Sequence, residues 1–571
     1  MALAHEVAFD VDLIEHGAPE EDDGLTGWAP VGSRTALSAH VEHESAMLPA
    51  VAAGQDERRP SGRYVLAVRR ADEEDGLRHA VPAGALVPRV TYRVVGWVGV
   101  QGGGGASGEG SHHVVRVGLR VDDGEDEHSS WLDCSAAVCA EAPGGWAVIN
   151  GAFRLRTRPR VAAVHVCGAP AGMDVKVMDL QVFATDRKAR FRQLKEETDN
   201  VRKRDVILKF GSAIMSGASV CVVQLENRFP FGSCINKTAI QNPKFVDFFC
   251  NNFDWAVFEN ELKWYWTERQ RGQLNYRDAD ELLWFCERHG KPVRGHCIFW
   301  AVEGDVQQWL KDLGRADLMS AVRGRLHGLL SRYAGRFSHY DVNNEMLHGR
   351  FYRDRLGDGV AALMFREAAR LDPGARLFVN DYNVMRGNDP NATPEKYVEL
   401  VDALRRRGAA VGGIGVQGHM DNPVGQVIRA ALDKLAAAGA PIWITELDVS
   451  EPDVGLRADD LEVVLREAYA HPAVEGVMLW GFMQGQMWRQ DAYLVDADGT
   501  VNEAGQRFLQ LRREWRSDAS GTVDGDGHFR FRGYHGTYVA QVTTATGKML
   551  HTFIIDGDGE DALELDVDKV N

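Results

Sequence analysis

In this 571-residue chain, the strongest indication of the fold comes from the sequences HYDVNNE at residues 339–345 and PIWITELD at residues 441–448. Each stretch is rich in apolar and β-branched residues, which is typical of a buried strand. Each places one glutamate, Glu345 or Glu446, toward the C-terminal end of its strand. Because both stretches belong to one repeating pattern of strand and helix, they indicate an α/β fold.

The same alternation of strand and helix runs from about residue 206 to residue 516. The candidate strands are 230–234, 254–259, 292–299, 338–343, 376–380, 414–417, 442–447 and 476–480. Amphipathic stretches fill the gaps, for example 278–288, 321–333, 394–407 and 427–438. Eight strand–helix units within about 300 residues predict a (β/α)8 TIM barrel. A doubly wound open sheet is the alternative, but no glycine-rich nucleotide loop follows the first strand.

The sequence on both sides of the barrel region shows the alternation of apolar and polar residues that is typical of β-strands. Residues 1–185 contain short alternating runs between Gly- and Asp-rich turns, which predict an N-terminal β-sandwich with a flexible loop at 102–110. Residues 186–205 are densely charged with one apolar face and predict a connecting helix. We therefore assign 206–517 to the barrel and 518–571, where alternation returns, to a small C-terminal antiparallel β module.

Composition narrows the classes of partner. The formal net charge of −17 argues against nucleic acid, whose phosphates need clustered Lys and Arg, and against an anionic membrane surface. It is compatible with a neutral polymer such as a plant polysaccharide. No apolar run is long enough to span a bilayer, and residues 1–12 show no secretory signal.

Eight cysteines are scattered along the chain without any CxxC pair, so a zinc site is not expected. We expect most of these cysteines to be buried free thiols, and the alternative is that two or four of them form one or two disulfides. No metal or organic cofactor is predicted, and we expect a monomer.

In a (β/α)8 barrel the functional residues gather at the C-terminal ends of the strands. Those ends and the loops after them supply Glu259, Asn260, Lys263, His296, Trp300, Asn344, Glu345, Gln417, His419, Glu446, Asp448, Trp480 and Trp488. Amides, imidazoles and carboxylates can bond sugar hydroxyls, and flat indoles can stack on sugar rings. A glycosidic bond is cut by two carboxylates. The strand-end glutamates therefore predict glycoside hydrolysis.

The motifs around these residues resemble the glycoside hydrolases of family 10. The matching motifs are ENELKW at 259–264, GHCIFW at 295–300, DVNNE at 341–345, NDYN at 380–383, QGH at 417–419 and ITELD at 444–448. The resemblance covers roughly residues 231–515 and is strongest to plant members. It implies a (β/α)8 barrel and a retaining endo-1,4-β-xylanase that cuts internal bonds of plant cell-wall xylan.

The resemblance also implies roles for individual residues. Glu345 is expected to be the acid/base and Glu446 the nucleophile, with His419 and Asp448 holding the nucleophile ionised and oriented. Asn344 is expected to bond the 2-hydroxyl at the cleavage point. The residues expected to hold sugars on the non-reducing side are Glu259, Asn260, Lys263, His296, Trp300 and Gln417, with Trp480 and Trp488 stacking above. We expect Trp264, Trp266 and Trp443 to be packing residues.

Two physical requirements follow from these roles. The acid must be protonated at working pH, so its surroundings must raise its pKa above about 4.3, the ordinary glutamate value. Retention requires the two carboxyl groups to lie about 5–5.5 Å apart. Ala301, where many microbial relatives have a second histidine, and the loop at 485–487 depart from the family pattern near the substrate subsites.

Alternatives to xylan hydrolysis remain. One alternative is a noncatalytic xylan-binding or inhibitor protein whose barrel has lost its activity. Such a protein typically lacks one catalytic glutamate, whereas both are present here. The same chemistry on a β-glucan is a further alternative. The substrate class implies an extracellular, cell-wall setting, although no export signal is visible.

The N-terminal region resembles the family-22 carbohydrate-binding modules, in residues 62–64, 151–153 and 171–175 and in Trp97. Those modules bind xylan through a tryptophan and a tyrosine. Glu74 stands at the expected place of the tryptophan, and neither tyrosine, tryptophan nor phenylalanine occurs in 164–168, where the tyrosine would fall. We therefore expect a structural role for this module.

Overall fold

The computed structural model describes residues 7–19, 25–44, 48, 60–102, 112–122, 130–142, 144–211, 216–545, 547–557 and 561–567. The flexible loop predicted at 102–110 lies, apart from its first residue, outside the described residues. The chain divides into two compact units. The first comprises Met1–Lys188, Asn383–Pro394 and Gln426–Ala431, and the second Ala189–Tyr382, Glu395–Gly425 and Leu432–Asn571.

In the described part of the N-terminal region, two five-stranded antiparallel sheets are present. The strands of the first sheet, in spatial order, are Trp28–Val31, Gly76–Val81, Val161–Cys167, His112–Asp122 and Ser130–Ala140. Those of the second are Ala36–Val41, Arg63–Val68, Asp174–Ala184, Thr91–Gln101 and Trp146–Arg154. Alternate residues such as Val115, Val117 and Leu119 are fully buried in a common core. The period-2 pattern thus produces the predicted N-terminal β structure.

The position where a sugar-stacking tryptophan was expected is occupied by an ion pair. Glu74 binds the guanidinium of Arg116, and the Cys167 thiol lies 3.8 Å from the other oxygen of Glu74. A carboxylate that is engaged in this way presents no flat apolar face to a sugar ring.

The charged stretch after the sandwich forms the helix Arg187–Arg202, and a second β assembly follows it. Its three-stranded sheet contains His528–Tyr534, Lys203–Lys209 and Leu563–Asp566. Its four-stranded sheet contains Asp518–Thr522, Ser219–Asn227, Gly536–Thr544 and Gly547–Ile555. All pairings are antiparallel except that of Lys203–Lys209 with Leu563–Asp566, which is parallel.

The placement of residues 206–227 differs from the sequence assignment, which gave them to the barrel. Their alternate apolar residues, including Val206, Val220 and Val222, are buried in one core with Tyr538 and Phe553 of the C-terminal strands. These two early strands therefore complete the C-terminal β module, and the barrel begins at the next strand.

Within the described residues, eight parallel strands form a closed barrel, as predicted. In chain order they are Phe231–Ile235, Trp255–Phe258, Val293–Gly295, His339–Asp341, Arg376–Asp381, Gly413–Val416, Ile442–Val449 and Val474–Leu479. Each pairs with its neighbours in parallel, and the eighth strand pairs with the first, which closes the ring. Short strand pairs lie beyond the C-terminal ends of the barrel strands. Phe299–Trp300 pairs with Asn343–Asn344, and His419–Met420 pairs with the seventh strand.

Helices separate the barrel strands. They are Pro243–Asn252, Trp264–Thr267, Arg277–Arg288, Gln308–Lys311, Arg315–Tyr333, Phe351–Leu356, Val360–Leu371, Pro394–Arg406, Gly425–Ala436, Val454–Ala470 and Glu503–Glu514. Short 3-10 turns occur at Ala83–Ala85, Ala239–Gln241 and Glu303–Asp305. Helix Val454–Ala470 begins at Asp453, whose carboxylate accepts the amide protons of Gly455 and Leu456. Across the described ranges, no helix has the length and apolarity needed to cross a membrane.

Apolar side chains fill part of the barrel interior. Val257, Phe378, Trp443 and Met478 form a buried cluster that also includes Trp480 near the C-terminal end. Trp443 and Trp264 are buried, as expected for packing residues, but that expectation is wrong for Trp266, which is 40% exposed. None of the eight cysteines, all of which lie in described ranges, is bonded to another.

Candidate active site

Glu345 lies in a tight turn directly after the fourth barrel strand. Its φ of +61° is in the left-handed region that a non-glycine residue rarely adopts. The turn is held by backbone hydrogen bonds: Glu345 N–H donates to Asn380 O (2.8 Å), and Gly349 N–H donates to Glu345 O (2.7 Å). The Asp381 carboxylate also accepts the Leu347 N–H at 2.7 Å. These bonds fix an unusual conformation that aims the Glu345 side chain into a polar cluster.

The Glu345 carboxyl is buried and receives three hydrogen bonds. Trp300 Nε1 donates to Oε2 at 2.6 Å, and Gln417 Nε2 and Asn344 Nδ2 donate to Oε1 at 2.8 and 3.2 Å. Burial penalises the charged form and raises the pKa of Glu345 to about 7, although the bonds from Gln417 and Trp300 act in the opposite direction. Glu345 is therefore substantially protonated near neutral pH.

Glu446, on the seventh strand, lies in a more basic environment. Asn380 Nδ2 donates to its Oε1 at 2.8 Å, His296 Nδ1 lies 3.8 Å from the same oxygen, and His419 Nε2 lies 3.4 Å from Oε2. Burial alone would raise the pKa of Glu446, but His296, His419 and Lys263 outweigh it and lower the pKa to about 2. Glu446 is therefore ionised over the whole ordinary pH range.

His419 connects Glu446 to Asp448. Its Nδ1 donates to Asp448 Oδ2 at 2.8 Å. Burial opposes protonation of the imidazole, but bonds to Asp448 and Glu446 raise the pKa of His419 to about 9. Asp448 also accepts hydrogen bonds from Trp488 Nε1 (2.9 Å) and Arg489 Nη1 (2.8 Å). The imidazolium is thereby oriented from one side and faces Glu446 on the other.

Asn380, at the end of the fifth strand, links the two glutamates. Its Nδ2 donates to both Glu446 Oε1 and Asn344 Oδ1, and Asn344 in turn donates to Glu345. Thr445 Oγ1 donates to Asn380 Oδ1 at 2.6 Å. The Glu446 backbone N–H also donates to Gln417 O at 2.7 Å, while the Gln417 side chain binds Glu345. Both carboxyl groups thus belong to one hydrogen-bonded cluster.

A buried ion pair contacts the ring of His296. Its Nδ1 lies 2.9 Å from Asp341 Oδ2, and the Asp341 carboxylate is bound by the guanidinium of Arg294. All three residues are almost completely buried. The His296 ring packs edge-on against Trp480, with 5.3 Å between ring centres. This arrangement fixes the imidazole beside Glu446.

Lys263 lies between two indoles near the ends of the second and third strands. Its ammonium is 4.6 Å from the centre of the Trp300 ring and 5.7 Å from that of Trp480. Lys263 Nζ is also 3.3 Å from Asn260 Oδ1, and Glu259 accepts a hydrogen bond from Asn236 at 2.8 Å. Hydrogen-bonding groups and flat rings are therefore adjacent, as a sugar-binding groove requires.

The structure brings the sequence-predicted site residues into this one region, but several have contacts that the sequence did not indicate. Trp300 and Gln417 bind the Glu345 carboxyl directly, and Trp488, which is 57% exposed, donates to Asp448. Asn380 and Arg489 were not among the predicted site residues. The position of Asn380 at a strand end, in the quoted NDYN motif, was a usable signal, whereas Arg489 lies in a loop without one.

Among the described side chains, no group of three or more His, Cys, Asp or Glu residues is placed to hold a metal ion. What the cluster offers is one protonated and one ionised carboxyl group, backed by amides and indoles. That combination can donate a proton to a leaving group while a carboxylate attacks or stabilises an electrophilic carbon.

Comparison with known proteins agrees with this geometry. The family profile "Glycosyl hydrolase family 10" matches residues 223–510. Endo-1,4-beta-xylanase 1 of Arabidopsis thaliana is 47% identical over 560 residues, which are 96% of this chain and 57% of that protein. Endo-1,4-beta-xylanase 2 of the same plant is 46% identical over 96% of this chain and 51% of its own length.

Endo-1,4-beta-xylanase 3 of Arabidopsis thaliana is 45% identical over 98% of this chain and 74% of its own length. The chain thus spans between about half and three quarters of the length of these relatives. The profile match coincides with the barrel that carries both glutamates. On these grounds the chain belongs to glycosyl hydrolase family 10.

Proposed function

We propose that this chain is a retaining endo-1,4-β-xylanase that hydrolyses internal β-1,4-xylosidic bonds of plant cell-wall xylan. Glu345 is the acid/base and Glu446 the nucleophile. The observation that supports the proposal is that two strand-end glutamates share one hydrogen-bonded cluster in different surroundings. Burial raises the pKa of Glu345 to about 7, while His296, His419 and Lys263 lower that of Glu446 to about 2. A retaining glycosidase needs this pair of states at the start of its cycle.

In the first step, protonated Glu345 gives its proton to the glycosidic oxygen as the bond to the anomeric carbon breaks. The ionised Glu446 carboxylate attacks that carbon from the other face and forms a covalent glycosyl ester. We assign Asn344, which contacts Glu345 and Asn380, to the 2-hydroxyl of the sugar at the cleavage point.

In the second step, the now ionised Glu345 takes a proton from water, which attacks the anomeric carbon and releases Glu446. A group with a pKa of about 7 serves both as the acid of the first step and as the base of the second. The charged His419, oriented by Asp448, stabilises Glu446 as a leaving carboxylate.

The proposed substrate rests on the site and on the names of the relatives. Three Arabidopsis relatives are named endo-1,4-beta-xylanases. Lys263, Asn260 and Glu259 offer donors and acceptors for sugar hydroxyls, and Trp300 and Trp480 offer flat faces next to them. The formal charge of −17 suits a neutral polymer better than a polyanion.

Reducing-sugar release from arabinoxylan by the wild type and by Glu446→Ala tests the activity. We expect release by the wild type alone, with cellulose and mixed-linkage glucan assayed beside it to establish the preferred polymer. Proton NMR of the first products tests retention: the β-anomer should appear before the α-anomer. An early α-anomer would rule out the retaining mechanism, and release from glucans alone would rule out xylan.

A further inference from the structure

Trp266 is a large side chain on the barrel surface that the mechanism above does not use. It is 40% exposed, whereas Trp264 is 5% exposed and packs edge-on against Phe299 and Trp309. The short helix Trp264–Thr267 therefore buries one indole in the barrel layers and leaves the other at the surface.

The exposed indole is held in place by a charged partner. Trp266 Nε1 donates to Asp278 Oδ2 at 3.1 Å, and the Lys237 ammonium binds the other oxygen of Asp278. The bond from Lys237 lowers the pKa of Asp278, which keeps this carboxylate ionised as an acceptor. A ring that is already oriented loses less conformational freedom when a ligand stacks on it.

The remaining surface of Trp266 suits a neutral, flat ligand. The single polar atom of the indole is already bonded to Asp278, so the rest of the ring is apolar. Lys237 and Asp278 neutralise each other beside it. A xylose chair carries axial C–H bonds on both faces of the ring and therefore stacks well on such a surface.

Trp266 lies next to residues of the proposed sugar-binding groove. Trp266 is three residues after Lys263, and the short helix Trp264–Thr267 begins directly after Lys263. The backbone N–H of Trp266 donates to the backbone oxygen of Lys263 at 3.0 Å. On the other side, Lys237 follows Asn236, whose amide donates to Glu259. Both neighbouring connections lead to groups that we expect to hold sugars.

We propose that Trp266 is a distal sugar platform, which stacks a sugar of a long chain beyond those contacted by Glu259 and Lys263. This inference rests on the proposed xylanase function and adds a preference for long substrates. Trp266 binds the chain and takes no part in breaking the bond.

The test compares a long and a short substrate with Trp266→Ala. On xylohexaose, kcat/KM should fall about tenfold, the size expected when a tryptophan that contacts the ligand is truncated. On 4-nitrophenyl β-xylobioside, whose two sugars end before the platform, kcat/KM should stay within about twofold of the wild type. The difference between the two substrates is the quantity that the platform predicts.

Two further variants serve as controls. Trp284 is 59% exposed and lies on the helix Arg277–Arg288 with the Arg288 guanidinium over its ring, so Trp284→Ala removes another surface indole, one that is more exposed than Trp266. It should leave both substrates unaffected. Trp266→Phe keeps a flat face but loses the bond to Asp278, and it should retain most of the rate on xylohexaose.

Equal losses on both substrates, no loss on either, or a matching loss in Trp284→Ala would each overturn the platform. These outcomes differ from failure of the proposed function, in which the wild type itself hydrolyses neither substrate. If the wild type cleaves xylohexaose and Trp266→Ala cleaves it equally fast, only this inference is refuted, and the proposed function stands.

Discussion

The ends of the fourth and seventh barrel strands carry the same side chain in two different surroundings. Glu345 is buried among neutral donors, an indole and two amides, and its pKa is raised to about 7. Glu446 is equally buried but lies beside His296 and His419, and its pKa is lowered to about 2. Burial disfavours the charge of both, so the two imidazoles and Lys263 beside Glu446 account for the difference.

One fold thus gives one residue type two different surroundings, which suit the two roles that we propose. Neutral hydrogen bonds to Glu345 offset only part of the cost of burying a charge, so that carboxyl keeps its proton. Nearby positive charge offsets that cost fully for Glu446. Variants that alter one of the two surroundings should therefore change one limb of the pH profile.

The largest effect is expected for Glu446→Gln, which removes the proposed nucleophile. We expect kcat on arabinoxylan to fall by about 10⁴-fold or more, since no covalent intermediate can form. Glu475→Gln is the matched control because Glu475 lies on the eighth strand in an exposed ion pair with Arg376. Near-normal activity in Glu446→Gln would remove this residue from the mechanism.

Glu345→Gln should have the second largest effect, a loss of about 10²–10⁴-fold in kcat on xylan. Its effect should depend on the leaving group, because a nitrophenolate departs without a proton. With 4-nitrophenyl β-xylobioside we expect a burst of nitrophenol followed by slow turnover, as the second step still lacks its base. A loss of equal size in both steps for this substrate would contradict the acid/base role.

His419→Gln should change the acidic limb of the profile of kcat/KM against pH. Glu446 must be ionised to attack, and His419 lowers its pKa, so loss of the imidazolium raises that pKa. The acidic limb should move to higher pH by about one to three units, and the basic limb should stay in place. A shift of the basic limb alone would show that His419 acts on Glu345 instead.

Trp300→Phe should give the smallest shift, on the opposite limb. The Trp300 N–H stabilises the ionised form of Glu345, so its removal raises the pKa of that carboxyl. The basic limb should move up by about half a unit to one unit, the value of one hydrogen bond. An unchanged basic limb would mean that Trp300 contacts sugar without affecting Glu345.

Much of the fold follows from local sequence pattern. Runs such as 442–447 are apolar and β-branched on both faces, as a strand buried between two layers must be, and the eight strands emerge from this signal. Strand ends then locate the candidate site, because parallel strands bring their C-terminal ends together. Glu345 and Glu446 are predictable in this way.

Contacts that depend on register between distant strands are not predictable by the same reasoning. Asn380 reaches Glu446, 66 residues later, only once the barrel has closed. The strand Lys203–Lys209 alternates like any half-buried strand, and nothing local indicates that its partners are His528–Tyr534 and Leu563–Asp566. Trp266 illustrates the same limit, since the residues around it do not reveal whether an indole is buried or exposed.

We propose that the two glutamates hold opposite protonation states when no substrate is bound. Titration of the protein labelled with ¹³C at the glutamate carboxyl carbons, assigned with Glu345→Gln and Glu446→Gln, tests it directly by NMR. We expect the Glu345 signal to titrate near pH 7 and the Glu446 signal to remain that of a carboxylate down to about pH 3. Titration of Glu446 at a higher pH than Glu345 would contradict the assignment of their roles.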